Sequence, residues 1–294
     1  MVIATGKGGC GKTTLTANLA TLAAARGVDR VIAVDLDPQA NLATALGIKD
    51  HDGGLSMLSA AMREDRAAPK LHDTGRDNLW YVAGGSQLKR LRSVAMFKGG
   101  PYTLAGWILD SLEPLADGRT ILFIDTPQAS GDILASAGLL AGESLLIPTR
   151  LDGFSLAGVS TVVEELLDLH DGGGGEWAMT NILGVVLFAV NRRASAIERR
   201  TREILQHELA ASRVRLLDAS VMATDKAQID AIRAGISAAE YALIAKTTAL
   251  PPWYETLGTT PDDRLSFANN ADSLAADYEA IAVEVDKALA EDLG

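Results

Sequence analysis

Gly6-Lys7-Gly8-Gly9-Cys10-Gly11-Lys12-Thr13-Thr14 is the stretch on which the fold turns. It matches G-x-x-x-x-G-K-[ST], and its flanks are those the pattern requires. Upstream, residues 2–5 read as a short buried strand. Downstream, the Ala/Leu-rich run Thr13–Arg26 reads as a helix closed by Gly27 at its C′ position. Glycines let backbone N–H groups converge on phosphate oxygens, and the helix N-terminus adds positive potential. In that setting Lys12 reaches the β- and γ-phosphates and the Thr13 hydroxyl ligates Mg²⁺. Gly8, Gly9, Cys10, Gly11, Lys12, Thr13 and Thr14 are therefore expected to hold a nucleotide. Lys7 has two readings, a solvated surface charge or a cation that neutralises phosphate in another subunit. Cys10 is the chain's one cysteine. With nothing to pair with, it reads as a packed or solvent-facing residue, not a redox centre.

Two more sites follow apolar runs. Val31-Ile32-Ala33-Val34-Asp35-Leu36-Asp37-Pro38-Gln39 places two acids at a strand's C-terminal end, where open α/β sheets bind ligands. Asp35 and Asp37 are two apart and share a face if the strand continues. One would orient Mg²⁺ and its waters, the other an attacking water. Ile121-Leu122-Phe123-Ile124-Asp125-Thr126-Pro127 has the form of a Walker B strand, with Asp125 holding Mg²⁺ directly or through water.

Further strands are expected over 30–34, 79–82, 120–124, 144–148, 182–190 and 214–218, and helices over 155–169 and about 195–211. Several strands are continuous apolar runs, as in a parallel sheet buried on both faces. The β–α alternation predicts an α/β, doubly wound, mostly parallel sheet with helices on both faces. The 294 residues are read as one domain, with an irregular insertion at 246–272 and a C-terminal helix at 273–293. Within the insertion, Trp253-Tyr254 reads as a core anchor. Asp171-Gly172-Gly173-Gly174-Gly175 reads as a flexible surface loop.

Composition narrows the class. A hydrophobic fraction of 48% with 22% charged residues excludes a disordered or fibrous chain. No uninterrupted apolar run reaches membrane-spanning length, and the N-terminus does not read as a signal peptide. Together with the single cysteine, this leads us to expect a cytoplasmic protein. The net charge of −11 argues mildly against a dedicated nucleic-acid binder, but it is unevenly spread. Residues 251–294 hold ten acids against Arg264 and Lys287, a net −8, whereas residues 192–215 hold seven arginines against three glutamates, a net +4.

In combination, Lys7-Gly8-Gly9-Cys10-Gly11-Lys12-Thr13-Thr14, Asp35-Leu36-Asp37-Pro38-Gln39-Ala40-Asn41 and Asp125-Thr126-Pro127 resemble the ParA/MinD group of P-loop ATPases, the deviant Walker A ATPases. Ile147-Pro148-Thr149 and Phe154-Ser155-Leu156-Ala157-Gly158 extend the resemblance, which covers roughly residues 1 to 241. It implies ATP and Mg²⁺ as cofactors and a homodimer formed around two ATP molecules. In that scheme Lys7 is the signature lysine that crosses to the partner's phosphates, Lys12 is the P-loop lysine, and Asp37 positions the hydrolytic water. Thr13, Asp35 and Asp125 form the Mg²⁺ shell, and Asn191 falls where the family contacts adenine.

The resemblance also implies a choice between branches. ParA-like members bind nucleoid DNA non-specifically as ATP dimers and position plasmids, chromosomes or protein complexes. A ParB-like or adaptor protein stimulates their hydrolysis. MinD-like members bind membranes through a basic amphipathic C-terminal helix. Here Glu279, Glu284, Asp286, Glu291 and Asp292 face Lys287 alone, and such a helix is repelled by anionic lipid, so no membrane is expected. The DNA reading rests on Arg192, Arg193, Arg199 and Arg200, with Arg202 near them and Arg213, Arg215, Lys226 and Arg233 as outliers. On the expected helix, Ile197, Ile204, Leu205 and Leu209 form one apolar stripe, with Arg199 opposite it. The competing reading is a solvated face partnered by Glu198, Glu203 and Glu208. Two departures stand out. Gln128 replaces the usual second proline, and Asp218-Ala219-Ser220-Val221-Met222 lacks the usual Pro- and Arg-containing segment. The chain opens at the P-loop strand, so the N-terminal DNA-binding extension of larger partition ATPases is not expected. A membrane-recruited regulator and an assembly or metabolic P-loop ATPase remain as alternatives.

Overall fold

Val31, Ile32, Ala33 and Val34 are all fully buried, yet they serve two different cores. Side chains alternate across a strand, so Val31 and Ala33 join a core on one face while Ile32 and Val34 join the core on the other. The computed structural model describes residues 1–62, 68–116, 119–128, 131–150, 155–173, 177, 179–191, 195–210, 214–223, 225–248 and 267–292. Within these the strands are β1 (Val2–Ile3), β2 (Arg30–Asp35), β3 (Leu71–Asp73), β4 (Leu79–Val82), β5 (Thr120–Asp125), β6 (Ser144–Arg150), β7 (Asn181–Val190) and β8 (Leu216–Met222). They form one sheet in the order β3-β4-β2-β5-β1-β6-β7-β8. Every neighbouring pair is parallel except β3–β4. This is the expected doubly wound α/β sheet.

Helices α1 (Lys12–Ala25), α2 (Asn41–Leu46), α9 (Asp225–Ala234), α10 (Ala238–Thr247) and α11 (Ala271–Asp292) cover one face. Helices α3 (Leu55–Ala61), α4 (Leu88–Lys98), α5 (Gly100–Leu112), α6 (Ile133–Ala141) and α7 (Ser155–Gly172) cover the other. Helix α8 (Ser195–Ala210) packs Leu205 against Leu187 and Val190 of β7. Gly27 takes the left-handed conformation after α1, with its N–H on Ala24 O, as expected for a C′ glycine.

The structure departs from expectation in four places. The expected 214–218 strand lies at Leu216–Met222, because Leu216, Ser220 and Met222 take the partners on β7. Its polar centre is tolerated because β8 is an edge strand whose outer N–H groups are met by α11. Glu284 accepts from Asp218 N (3.0 Å) and Ala219 N (2.6 Å), and Asp277 accepts from Met222 N (2.9 Å). Second, β3 was not anticipated. Third, Asp171 and Gly172 belong to α7 and not to a loop. Tyr102 donates to Leu169 O and lies over the last turn, where a Cβ on Gly172 would meet the Tyr102 hydroxyl. Fourth, α11 begins at Ala271. Most of the expected insertion (249–266, with Trp253 and Tyr254) lies outside the described residues.

Three further acids of α11 pair at the surface with the fold's own cations. Glu279 and Asp286 both bind Arg26 at the end of α1 (2.6 and 2.9 Å), and Glu291 binds Arg215 (3.3 Å). Arg76 ties three helix ends at once. It donates to Leu46 O and Gly235 O and holds the Glu240 carboxylate, which closes a capping box with Ser237 at the start of α10.

Candidate nucleotide-binding site

The loop between β1 and α1 is built for close approach. Gly9 and Gly11 have positive φ, and a Cβ on Gly11 would run into the Phe188 ring. No acid lies in the first turn of α1, so its N–H groups face an anion site unopposed. Gly8 and Gly9 are exposed, whereas Cys10 is buried, with its thiol 3.8 Å from Gly8 O. Cys10 is thus a packed residue, one of the two alternatives.

The acids converge from two strands. Asp35 and Asp125 are direct register partners at the ends of β2 and β5, and both are fully buried. Thr13 donates to Asp125 Oδ2 (2.7 Å), so the loop's threonine meets the second acid across 112 residues of sequence. Burial and the neighbouring Asp125 drive the Asp35 carboxyl well above the usual range. Burial also pushes Asp125 up to about 7, against the opposing pull of Thr13 and Lys12. Asp37 does not share a strand face with Asp35, because β2 ends at Asp35. Instead the chain steps down two side-chain turns. Asp35 Oδ1 accepts from Asp37 N (2.8 Å), and Asp37 Oδ1 accepts from Gln39 N (2.8 Å).

Three supporting residues were not anticipated. Tyr81 donates to Asp35 Oδ2 (3.2 Å) and accepts from Gly84 N (3.2 Å). Thr16 donates to Asp125 Oδ1 (3.4 Å) from one turn beyond Thr13. Gln128 donates from Nε2 to Gly6 O (3.1 Å). The helical spacing of Thr13 and Thr16 was a usable signal. The other two contacts depend on which strands are neighbours.

A cavity of about 200 Å³ opens at the C-terminal ends of β6, β7 and β8, lined by Arg150, Phe188, Ala189, Met222, Gln228 and Ile229. Asn191 follows β7 beside it and is exposed. Of the arginine group, Arg192, Arg193 and Arg213 lie outside the described residues. Arg199 and Arg200 are exposed on α8. Arg202 donates to Leu217 O (2.7 Å) and Arg215 binds the acidic helix, so both serve the fold. Ile204 is 47% exposed and falls outside the apolar stripe, which Leu205 and Leu209 carry.

The residues fit a magnesium–nucleotide pair. Two buried, mutually repelling carboxylates and a threonine hydroxyl form a hard oxygen donor set, and a glycine-rich loop at a helix N-terminus lies next to it. Thr13, Asp35 and Asp125 would hold the metal, which when bound neutralises charge on the phosphates.

A family model for an AAA domain matches residues 1–172. The chromosome partitioning protein ParA of Caulobacter vibrioides is 29% identical over 209 residues, 70% of this chain and 75% of that protein. Among solved structures, Cyanothece McdA in an ATP complex has a TM-score of 0.69 at 21% identity, covering 98% of this chain and 95% of that one. MinD of Pyrococcus horikoshii with Mg-ADP has a TM-score of 0.60 at 22% identity, covering 97% and 95%. These two likenesses are of fold. With the phosphate loop and its paired acids in place, the chain belongs to the AAA domain family, in its ParA/MinD group of P-loop ATPases.

Proposed function

We propose that the protein is a ParA-like ATPase. It dimerises on ATP, binds nucleoid DNA without sequence preference, and positions or segregates a cargo through hydrolysis stimulated by a partner protein. The carrying observation is the closure of the phosphate loop on the buried acids through the bond from Thr13 to Asp125. In this reading Lys12 and the N–H groups of residues 8–14 bind the phosphates, and Asn191 meets the base. Asp37, held by its own turn at the rim, aligns the attacking water. Lys7 crosses to the nucleotide of a second copy. The ParA-named relative supports the partition branch, and the exposed Arg199 and Arg200 on α8 supply phosphate contacts.

The membrane-recruited alternative needs a C-terminal helix free to insert. Here α11 is packed into the core through Leu274, Tyr278, Ile281 and Val285, and its carboxylates are engaged. No helix among the described residues is long and apolar enough to cross a membrane.

The test is binding to random-sequence duplex DNA at two salt concentrations with ATP, ADP or no nucleotide. ATP alone is expected to give salt-sensitive binding. Arg199→Ala with Arg200→Ala should flatten the log–log salt slope by about 1.8 per protomer, at about 0.9 per lost phosphate contact. Absence of binding in every nucleotide state would remove DNA from the function.

A further inference from the structure

Lys7 leaves the chain between two glycines, so its direction is set by what grips their peptides. Gly6 donates its N–H to Gly158 O of α7 (3.2 Å), and its C=O accepts from Gln128 Nε2 (3.1 Å). A Cβ on Gly8 would lie 3.1 Å from Gln128 Oε1. The Gln128 amide is therefore laid across Lys7, with its nitrogen on one flanking glycine and its oxygen beside the other. On the α7 side, a Cβ on Gly158 would lie 3.5 Å from the Lys7 Cβ, so the base of the lysine side chain passes within van der Waals reach of α7.

The arm that delivers this amide is stiff. It starts at Asp125, buried and bonded to Thr13. Thr126 follows, also buried, and donates to Ile3 O (3.0 Å). Pro127 then fixes its own φ. Proline at 128, the residue expected there, has no side-chain donor and could not make the contact. Gln128 is exposed, so the bond to Gly6 is not demanded by burial.

We propose that Gln128 is a positioning residue that sets the direction in which Lys7 leaves the phosphate loop and links it rigidly to Asp125. The inference rests on the hydrolysis and Lys7 readings above, and it adds the group that aims the lysine. Gln128 acts through Lys7 and is not itself a catalytic residue. Displacing a reacting group by about 1 Å costs up to roughly 10²-fold in rate. Loss of one neutral hydrogen bond is a smaller perturbation, so a fall of about five- to tenfold is expected.

The experiment is steady-state ATP hydrolysis by the full chain as wild type, Gln128→Met, Gln128→Glu, Lys7→Ala and Lys7→Ala/Gln128→Met, with Lys12→Ala as the control and thermal midpoints recorded. Gln128→Met keeps the shape and removes the donor. It should lower kcat about five- to tenfold with KM for ATP within about twofold and an unchanged midpoint. Gln128→Glu, which offers Gly6 O only acceptors at pH 8, should fall at least as far. On the Lys7→Ala background Gln128→Met should add less than about twofold, because residues that act through one another are not additive. Wild-type kcat in Gln128→Met, or a full further fall on the Lys7→Ala background, overturns the inference alone. A wild type that turns over no more ATP than Lys12→Ala overturns the hydrolysis reading and this inference with it.

Discussion

Asp125 and Asp35 sit opposite one another on neighbouring strands with no access to water, so the empty protein bears a repulsion that the liganded one does not. Asp125 holds its proton more tightly folded, at about 7, than at its ordinary 3.8. The contribution of this group to stability therefore falls as pH rises from about 4 to about 7. Asp125→Asn keeps an acceptor for Thr13 and removes the charge. Without Mg²⁺ and nucleotide the variant should be more stable by about 1–3 kcal/mol at pH 8 and no more stable near pH 4.5, as read by urea unfolding at both pH values. Saturating Mg²⁺ and ATP at pH 8 should reverse the order. The residues of this site that lie inside local motifs were legible in the sequence, because a phosphate loop concentrates its chemistry in nine consecutive positions. Tyr81 was not. Leu79-Trp80-Tyr81-Val82 looks like any apolar strand, and its hydroxyl meets Asp35 only because β4 lies beside β2.

Among elements, the joint at Arg76 supports the most packing with the fewest side chains. Burial raises the Glu240 carboxyl, but the paired bonds from Arg76 and the cap at Ser237 outweigh it and hold the group below its ordinary value. Its contribution is thus present at neutral pH and lost as pH falls through the carboxylate range. Glu240→Gln should cost about 1–3 kcal/mol at pH 7, and the deficit should shrink towards pH 3.5 in parallel urea titrations. Long elements with strong patterning were readable, among them α1, β2, β5 and α11. The short β3 was not, since Leu71-His72-Asp73 carries one apolar residue and owes its strand geometry to pairing with β4. The end of β8 was misread for a related reason. The expected strand stops at Asp218, before the polar Ser220, and only the carboxylates of α11, about 60 residues further on, carry the strand edge past it.

Taken as a whole, the molecule's charge of −11 is a poor guide to its surface, because much of the acidic C-terminal stretch is engaged by Arg26, Arg215 and the backbone of β8. Replacing Asp277 and Glu284 together by alanine should strip the outer edge of β8, lowering stability by about 2–4 kcal/mol and raising thioflavin-positive aggregation at equal protein concentration. Wild-type behaviour on both measures would mean that packing alone shields the strand. The covered edge also limits how copies can join. A sheet that continues from molecule to molecule in one direction must set the β3 end of one copy against the β8 end of the next, and repeats without limit. With β8 occupied by its own helix that geometry is closed. Among the described strands, the edge pairing left is β3 with β3, a twofold contact that uses up both edges and stops at two.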